Sequence, residues 1–323
     1  MPDAARHEPA PHVLGGAVPP TPRGLRPRRH TSWARCGGRH GDAGRARHRV
    51  PALPGILQGT VVMDVLHLGL VTYNLARGWD LDLLIERCAE TGFEGVELRT
   101  THAHGVEPAL DAAGRARVRQ RFTGSPVQLV GLGTVCEYHA LDPAEVNANI
   151  EATKRAVDLA ADVGAGGVKV RPNGDQEQAG VPRARTLEQI GRALAECGEY
   201  ADRRGVELRL EMHGSVAAAP DVATILRACG HPSVRVCWNS NAVDVAGGSV
   251  RAAFDLMRGH IGLVHITELW NRAYPYRELF GLLRGSSYAG FCLAEIPESP
   301  EPVRLMRYYR ALWQELADEG RAP

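Results

Sequence analysis

From residue 64 onward the chain alternates short apolar, β-branched runs with segments of helical periodicity, and it does so eight times. The runs are VLHLGLVTY (65–73), GVELR (95–99), VQLVGLGTV (127–135), GGVKVRP (166–172), VELRLEMH (206–213), VRVCWN (234–239), IGLVHIT (261–267) and FCLAEI (291–296). Between them, 81–92, 142–165, 186–205, 219–230, 249–259, 275–285 and 299–320 carry the start and stop signals of helices, and a less marked helix is expected over about 108–122. The segment at 142–165 opens with Asp, Pro and a Glu three residues on, as a capped helix start does. Eight βα units in about 260 residues predict an α/β fold of the (β/α)8 TIM-barrel type. An open doubly wound sheet is the competing architecture. It usually carries a glycine-rich phosphate turn after its first strand, and VTYNLARGWD has none.

The first sixty-two residues stand apart. They hold 10 Arg, no Lys, 3 acids, 9 Pro and 9 Gly, a net charge of about +7, and no apolar period. Residues 63–323 hold 28 basic and 34 acidic residues, about −6. A disordered Arg/Pro/Gly-rich extension over 1–62 is expected, followed by a barrel over 63–323. A sharper reading makes the extension non-native upstream translation. Only 2 Lys accompany 36 Arg, as in GC-rich coding, and Met63 immediately precedes the first patterned strand.

The whole chain is nearly neutral, +1, which gives no bulk electrostatic case for nucleic acid or an anionic membrane surface. No apolar run reaches the roughly 18 residues of a membrane span. Seven scattered Cys without a CxxC pair read as reduced thiols, so a cytoplasmic location is expected. The expected partner is a small molecule. Exposed apolar helices on barrels often pair, so a homo-oligomer is a further expectation.

In a TIM barrel the chemistry lies where strands end. Residues i and i+2 share a face of a strand, so Glu137 with His139, Lys169 with Arg171, Glu211 with His213, and Asn239 with Asn241 point alike. Glu211, Asn239, His265 and Glu295 close four consecutive strands. Two carboxylates, an imidazole and an amide oxygen converging there predict a hard-cation site for Mn²⁺, Mg²⁺ or Co²⁺. A histidine alone in an apolar strand is most often a satisfied core residue, and a Glu at a strand end often pairs with a base. Lys169 and Arg171 are therefore the alternative counter-charge to a metal. Arg99, His102, His104 and Glu298 read as ordinary loop polarity.

The stretches ELRLEMHG, VCWNSN, GLVHITEL and GFCLAEIPES, with LGLVTYNL and GFEGVELR before them, resemble the sugar phosphate isomerase/epimerase superfamily of xylose-isomerase-like TIM barrels over about residues 66–315. That resemblance implies a divalent metal held by Glu, Asp, His and Glu on strands five to eight. Glu211, His265 and Glu295 match; the Asp position is Asn239, which brings no charge. A His usual three residues beyond is Ala242. The implied reaction is metal-assisted aldose–ketose isomerisation or epimerisation through an enediolate. Glu211 and Glu295 would exchange the proton, and Lys169, His213, Asn241, Arg272, Glu137 and His139 would contact substrate. Trp270, Tyr274 and Tyr276 either stack on a sugar or pack their loop. Two alternatives stay open: a dehydratase of a keto-inositol or related polyol, and a non-catalytic sugar-binding barrel with a weakened metal site. An endonuclease of the same superfamily would need several zinc ions and a basic groove, which the acidic barrel lacks.

Overall fold

A computed structural model describes residues 66–286 and 288–317. The extension expected over 1–62 lies outside the described residues. Eight parallel strands close into a barrel in sequence order: β1 (His67–Val71), β2 (Gly95–Arg99), β3 (Gln128–Gly133), β4 (Gly167–Val170), β5 (Glu207–Glu211), β6 (Val234–Trp238), β7 (Ile261–Ile266) and β8 (Phe291–Ala294), with β8 pairing back onto β1. Helices follow each strand: α1 (Leu81–Thr91), α2 (Ala112–Thr123), α3 (Pro143–Val163), α4 (Arg183–Arg203), α5 (Ala219–Cys229), α6 (Arg251–Met257), α7 (Tyr276–Arg284) and α8 (Pro302–Ala317).

Three helices start two or more residues later than their sequence pattern, α8 among them at Pro302 instead of 299. The one expected from about 108 begins at 112, because Asp111 accepts the Gly114 N–H and fixes the N-terminus there. The one expected from 249 begins at Arg251, because Ser249 first pairs with Ala246 in an antiparallel bridge.

The two-residue period of each strand sorts its side chains. Leu208 and Leu210 of β5, Val264 and Ile266 of β7, and Cys292 and Ala294 of β8 pack outward against the helices. Val71, Val130, Cys237, Leu263 and Leu293 form a separate apolar cluster from alternate positions, the plug inside the barrel. Each fully buried Leu contributes about 1.5–3 kcal/mol. A one-residue slip of β5 would exchange Leu208 and Leu210 for Glu207, Arg209 and Glu211, so the register is strongly specified. Arg209 also lies inside, its Nε 2.6 Å from Glu207 Oε2 and its Nη1 donating to the Val130 carbonyl at 2.9 Å. Polar residues one step beyond the apolar plug then necessarily face the barrel mouth. The six cysteines among the described residues are unpaired and buried. No helix among the described residues is long and apolar enough to cross a membrane.

Asp244, in the loop after β6, is buried, and its Oδ2 has no hydrogen-bond partner among the described residues. Burial pushes its carboxyl up to about 6, against the Ala219 N–H and the Asn241 side chain, which favour the anion. The folded state therefore holds the proton more tightly than the unfolded one. Its stabilising contribution is complete below the ordinary Asp pKa and is lost as pH rises through about 6. Asp244→Asn is expected to raise stability by about 1–3 kcal/mol at pH 8, with the gain shrinking toward pH 4. Urea unfolding of both proteins across that range measures it; a gain independent of pH would contradict the assignment.

Candidate active site

The polar layer above the plug is built from six strands or their ends. Glu211 closes β5. Its Oε2 accepts from Lys169 Nζ of β4 at 2.8 Å, and its Oε1 accepts from Asn239 Nδ2, just past β6, at 3.2 Å. His265 of β7 sits beside them, with Nδ1 3.5 Å from Glu211 Oε1 and 3.8 Å from Glu295 Oε2. Glu295 follows β8, and its N–H still pairs with the Ile266 carbonyl at 2.8 Å, which fixes where its side chain begins. Glu211, His265 and Glu295 each offer one ligand atom within 4.8 Å of the others. On the opposite side of the imidazole, Glu97 Oε1 of β2 lies 3.4 Å from Nε2.

The centre is sealed below and opens on one side. Glu97, Lys169, Glu211, Asn239 and His265 are buried, whereas the Glu295 side chain keeps 23% exposure. Burial alone would push the Glu211 carboxyl up; the Lys169 ammonium, and then His265, outweigh it and hold Glu211 well below the usual carboxylate range. Burial opposes the charged form of Lys169 in the same way, and Glu211 and Glu97 keep it protonated. His265 is likewise raised, against burial, by Cys237 and Glu97, and Glu97 is lowered, against burial, mainly by His265. Two buried carboxylates thus face a buried ammonium and a buried imidazole, with Glu295 at the rim.

Asn239 joins this group through its amide NH₂. Its Oδ1 accepts the Ser240 N–H at 2.8 Å, so in this arrangement the oxygen is engaged with the backbone and not with the cluster.

A model of the xylose isomerase-like TIM barrel family matches residues 85–315. The chain belongs to that family. Among solved structures, a D-psicose 3-epimerase in the presence of D-fructose superposes with a TM-score of 0.66 at 16% identity, over 78% of this chain and 99% of that one. A 3-keto-D-glucoside 4-epimerase from E. coli gives 0.65 at 15%, over 78% and 100%. The IOLI protein with a binding zinc atom gives 0.62 at 14%, over 80% and 100%. At such identities the likeness speaks for the fold. No curated protein matches the chain in sequence.

The remaining expected residues of this family member fall into separate groups. Glu137 pairs with Arg171 and lies 3.7 Å from His139 Nδ1, a network over the ends of β3 and β4. His213 is held by Nδ1 on Asn173 Oδ1 at 2.9 Å. The crossing there is tight: Gly214 has φ +75°, and a Cβ on it would stand 1.7 Å from the Asn173 carbonyl oxygen, so only glycine fits. Asn241 spends its NH₂ on the Met212 carbonyl at 2.6 Å. Arg272 is exposed and lines a cleft of about 520 Å³ shared with Leu312 and Leu316 of α8, away from the carboxylates. Tyr274 and Tyr276 are buried. The first accepts from Trp238 Nε1 at 2.9 Å and the second bonds Thr267 Oγ1 at 2.8 Å, so both pack their loop. Trp270 stays 70% exposed. His104, expected as exposed loop polarity, is instead buried and bonds the Arg99 carbonyl and the Val106 N–H, stapling the loop.

Sequence reasoning missed Glu97. The signal was present in GVELR, where Glu97 shares a face with Arg99, and in the glycines Gly131 and Gly133 that pair with those two residues.

Proposed function

We propose that the chain is an isomerase or epimerase of a small sugar that moves a proton on the carbon next to a carbonyl, with Glu211 and Glu295 as the exchanging groups. One observation carries the reading: the two carboxylates approach the same His265 nitrogen, one sealed inside and one open to the mouth. The neighbouring epimerase structures support the class. Lys169 keeps Glu211 ionised, so Glu211 begins as the proton acceptor. Glu295 at the rim takes a proton from solvent and returns it to the carbon from the other side, and the proton that Glu211 accepted leaves to solvent to close the cycle. Asn239 and Lys169 hold the two Glu211 oxygens, fixing the carboxylate plane without displacing every lone pair.

The residues also fit a divalent ion. His265 Nδ1 is buried and has no hydrogen-bond partner among the described residues, and it faces the two carboxylates. Glu97, Glu211 and Glu295 with Lys169 sum to minus two, which one dication beside a neutral imidazole balances. Glu211, His265 and Glu295 would hold it, and Asn239 acts as the lock on Glu211. A bound dication would supply Lewis-acid polarisation of the substrate carbonyl and neighbouring hydroxyl.

Incubation with a panel of keto- and aldo-sugars and an inosose, in deuterium oxide with Mn²⁺, Mg²⁺ or Co²⁺, tests the proposal. Deuterium wash-in at the carbon next to the carbonyl, read by NMR, is expected for at least one sugar. Binding without wash-in for any of them would leave a sugar-binding barrel. Loss of a β-hydroxyl instead would mark a dehydratase.

A further inference from the structure

Glu97 is completely buried, and neither of its oxygens has a hydrogen-bond partner among the described residues. An acid in such a place needs a reason, because leaving its oxygens unmatched is expensive. Among the described residues the basic group within 4.0 Å of it is His265 Nε2, at 3.4 Å, the outer edge of hydrogen-bond range. The barrel wall is shaped around it. A Cβ on Gly133 would stand 2.8 Å from Glu97 Oε1, and one on Gly131 would stand 3.6 Å from Oε2. Gly133 of β3 thus leaves the room that the carboxylate fills, on the side of His265 opposite Glu211 and Glu295, while the 3.6 Å at Gly131 is ordinary contact.

We infer that Glu97 is a positioning residue that takes the Nε2–H of His265, fixes the ring, and turns the Nδ1 lone pair into the gap between Glu211 and Glu295. This rests on the reading of that gap as the seat of a divalent ion. An imidazole has one proton to place when neutral, and a carboxylate at Nε2 places it there, leaving Nδ1 as the donor atom. Without Glu97 the ring is free to keep its proton on Nδ1, the wrong nitrogen for a ligand.

The test is binding of Co²⁺ alone, followed by its visible absorption and by calorimetry. Glu97→Met keeps the length and removes the acceptor; it is expected to weaken Co²⁺ binding about 10–100-fold. Glu97→Gln keeps an acceptor oxygen at the same reach and is expected to stay within a few-fold of the parent. Gly133→Ala leaves Glu97 chemically intact but presses a methyl on its oxygen, and an intermediate loss is expected even if Glu97→Met proves hard to fold. In the Zn²⁺-loaded parent, ¹⁵N spectra of labelled histidine should show a slowly exchanging Nε2–H on His265, absent in Glu97→Met. If Glu97→Met binds Co²⁺ as the parent does while His265→Ala does not, the positioning role is overturned and the metal seat stands. If Glu97→Gln falls as far as Glu97→Met, charge and not the hydrogen bond matters, and the role is again overturned. If the parent chain itself does not bind Co²⁺, the metal seat and the role of Glu97 fall together.

Discussion

Glu211→Gln is expected to lower turnover by about 10²–10⁴-fold and, separately, to remove about 3–5 kcal/mol of stability. The two losses have different origins. The amide cannot accept the proton. It also leaves the Lys169 ammonium buried with its nearest anion gone, since Glu211 Oε2 stands 2.8 Å from Nζ. An uncompensated buried charge, not a lost attraction, accounts for most of the stability effect. Lys169→Met in the same background removes that charge. The double variant should recover most of the stability, because an apolar chain of similar length suits a buried site at least as well as a separated ion pair. It should not recover turnover. The residues touch, so the single effects will not add, and the cycle of four proteins is the correct measurement. Urea unfolding reads one quantity and deuterium wash-in the other. Recovery of both in the double variant would mean that Glu211 is not the proton acceptor.

The contrast between Glu211 and Glu97 shows what a sequence of this kind discloses. Glu211, His265 and Glu295 end their strands, where period-two alternation and the rule that barrel chemistry lies at strand ends both apply. A reader needs only the strand boundaries to find them. Glu97 lies inside its strand, two residues before Arg99, and its meaning comes from a neighbour on β7 across the barrel. Closure of the sheet makes that contact, and no local pattern encodes it. Gly133 of β3 carries no local signal of its role; only the closed sheet, which brings Glu97 Oε1 to 2.8 Å from where a Cβ would stand, turns it into space for a side chain. Asn239 was legible as a member of the cluster but not in its orientation, which depends on the Ser240 N–H capturing its oxygen. Arg272 and Tyr274 belong to a loop with no period and Tyr276 opens α7, so sequence offered residue types without directions. Tyr274 and Tyr276 point into the core because Trp238 and Thr267 supply partners for their hydroxyls.

Asn239→Asp should make the protein weaker without metal and stronger with it. At present the amide donates to Glu211 Oε1 over 3.2 Å. A carboxylate at that position would face another carboxylate at about hydrogen-bond distance, and two like charges so close in a buried site cannot both ionise cheaply. In chelator at neutral pH the substitution is expected to cost about 1–3 kcal/mol, several degrees in Tm. The penalty should shrink as pH falls, because protonating one acid of the pair restores a donor between them. A divalent ion reverses the sign. The added anion raises the charge facing the ion, and an affinity gain of about 10–100-fold would return about 1.4–2.7 kcal/mol through linkage at saturating metal. The Tm rise on adding Mn²⁺ should therefore be larger in Asn239→Asp than in the parent, from a lower starting point. An equal rise in the two proteins would mean that position 239 does not feel the ion, and equal stability in chelator would mean that its side chain does not face Glu211. The two readings are independent: the first depends on the metal seat, the second only on the contact between Asn239 and Glu211.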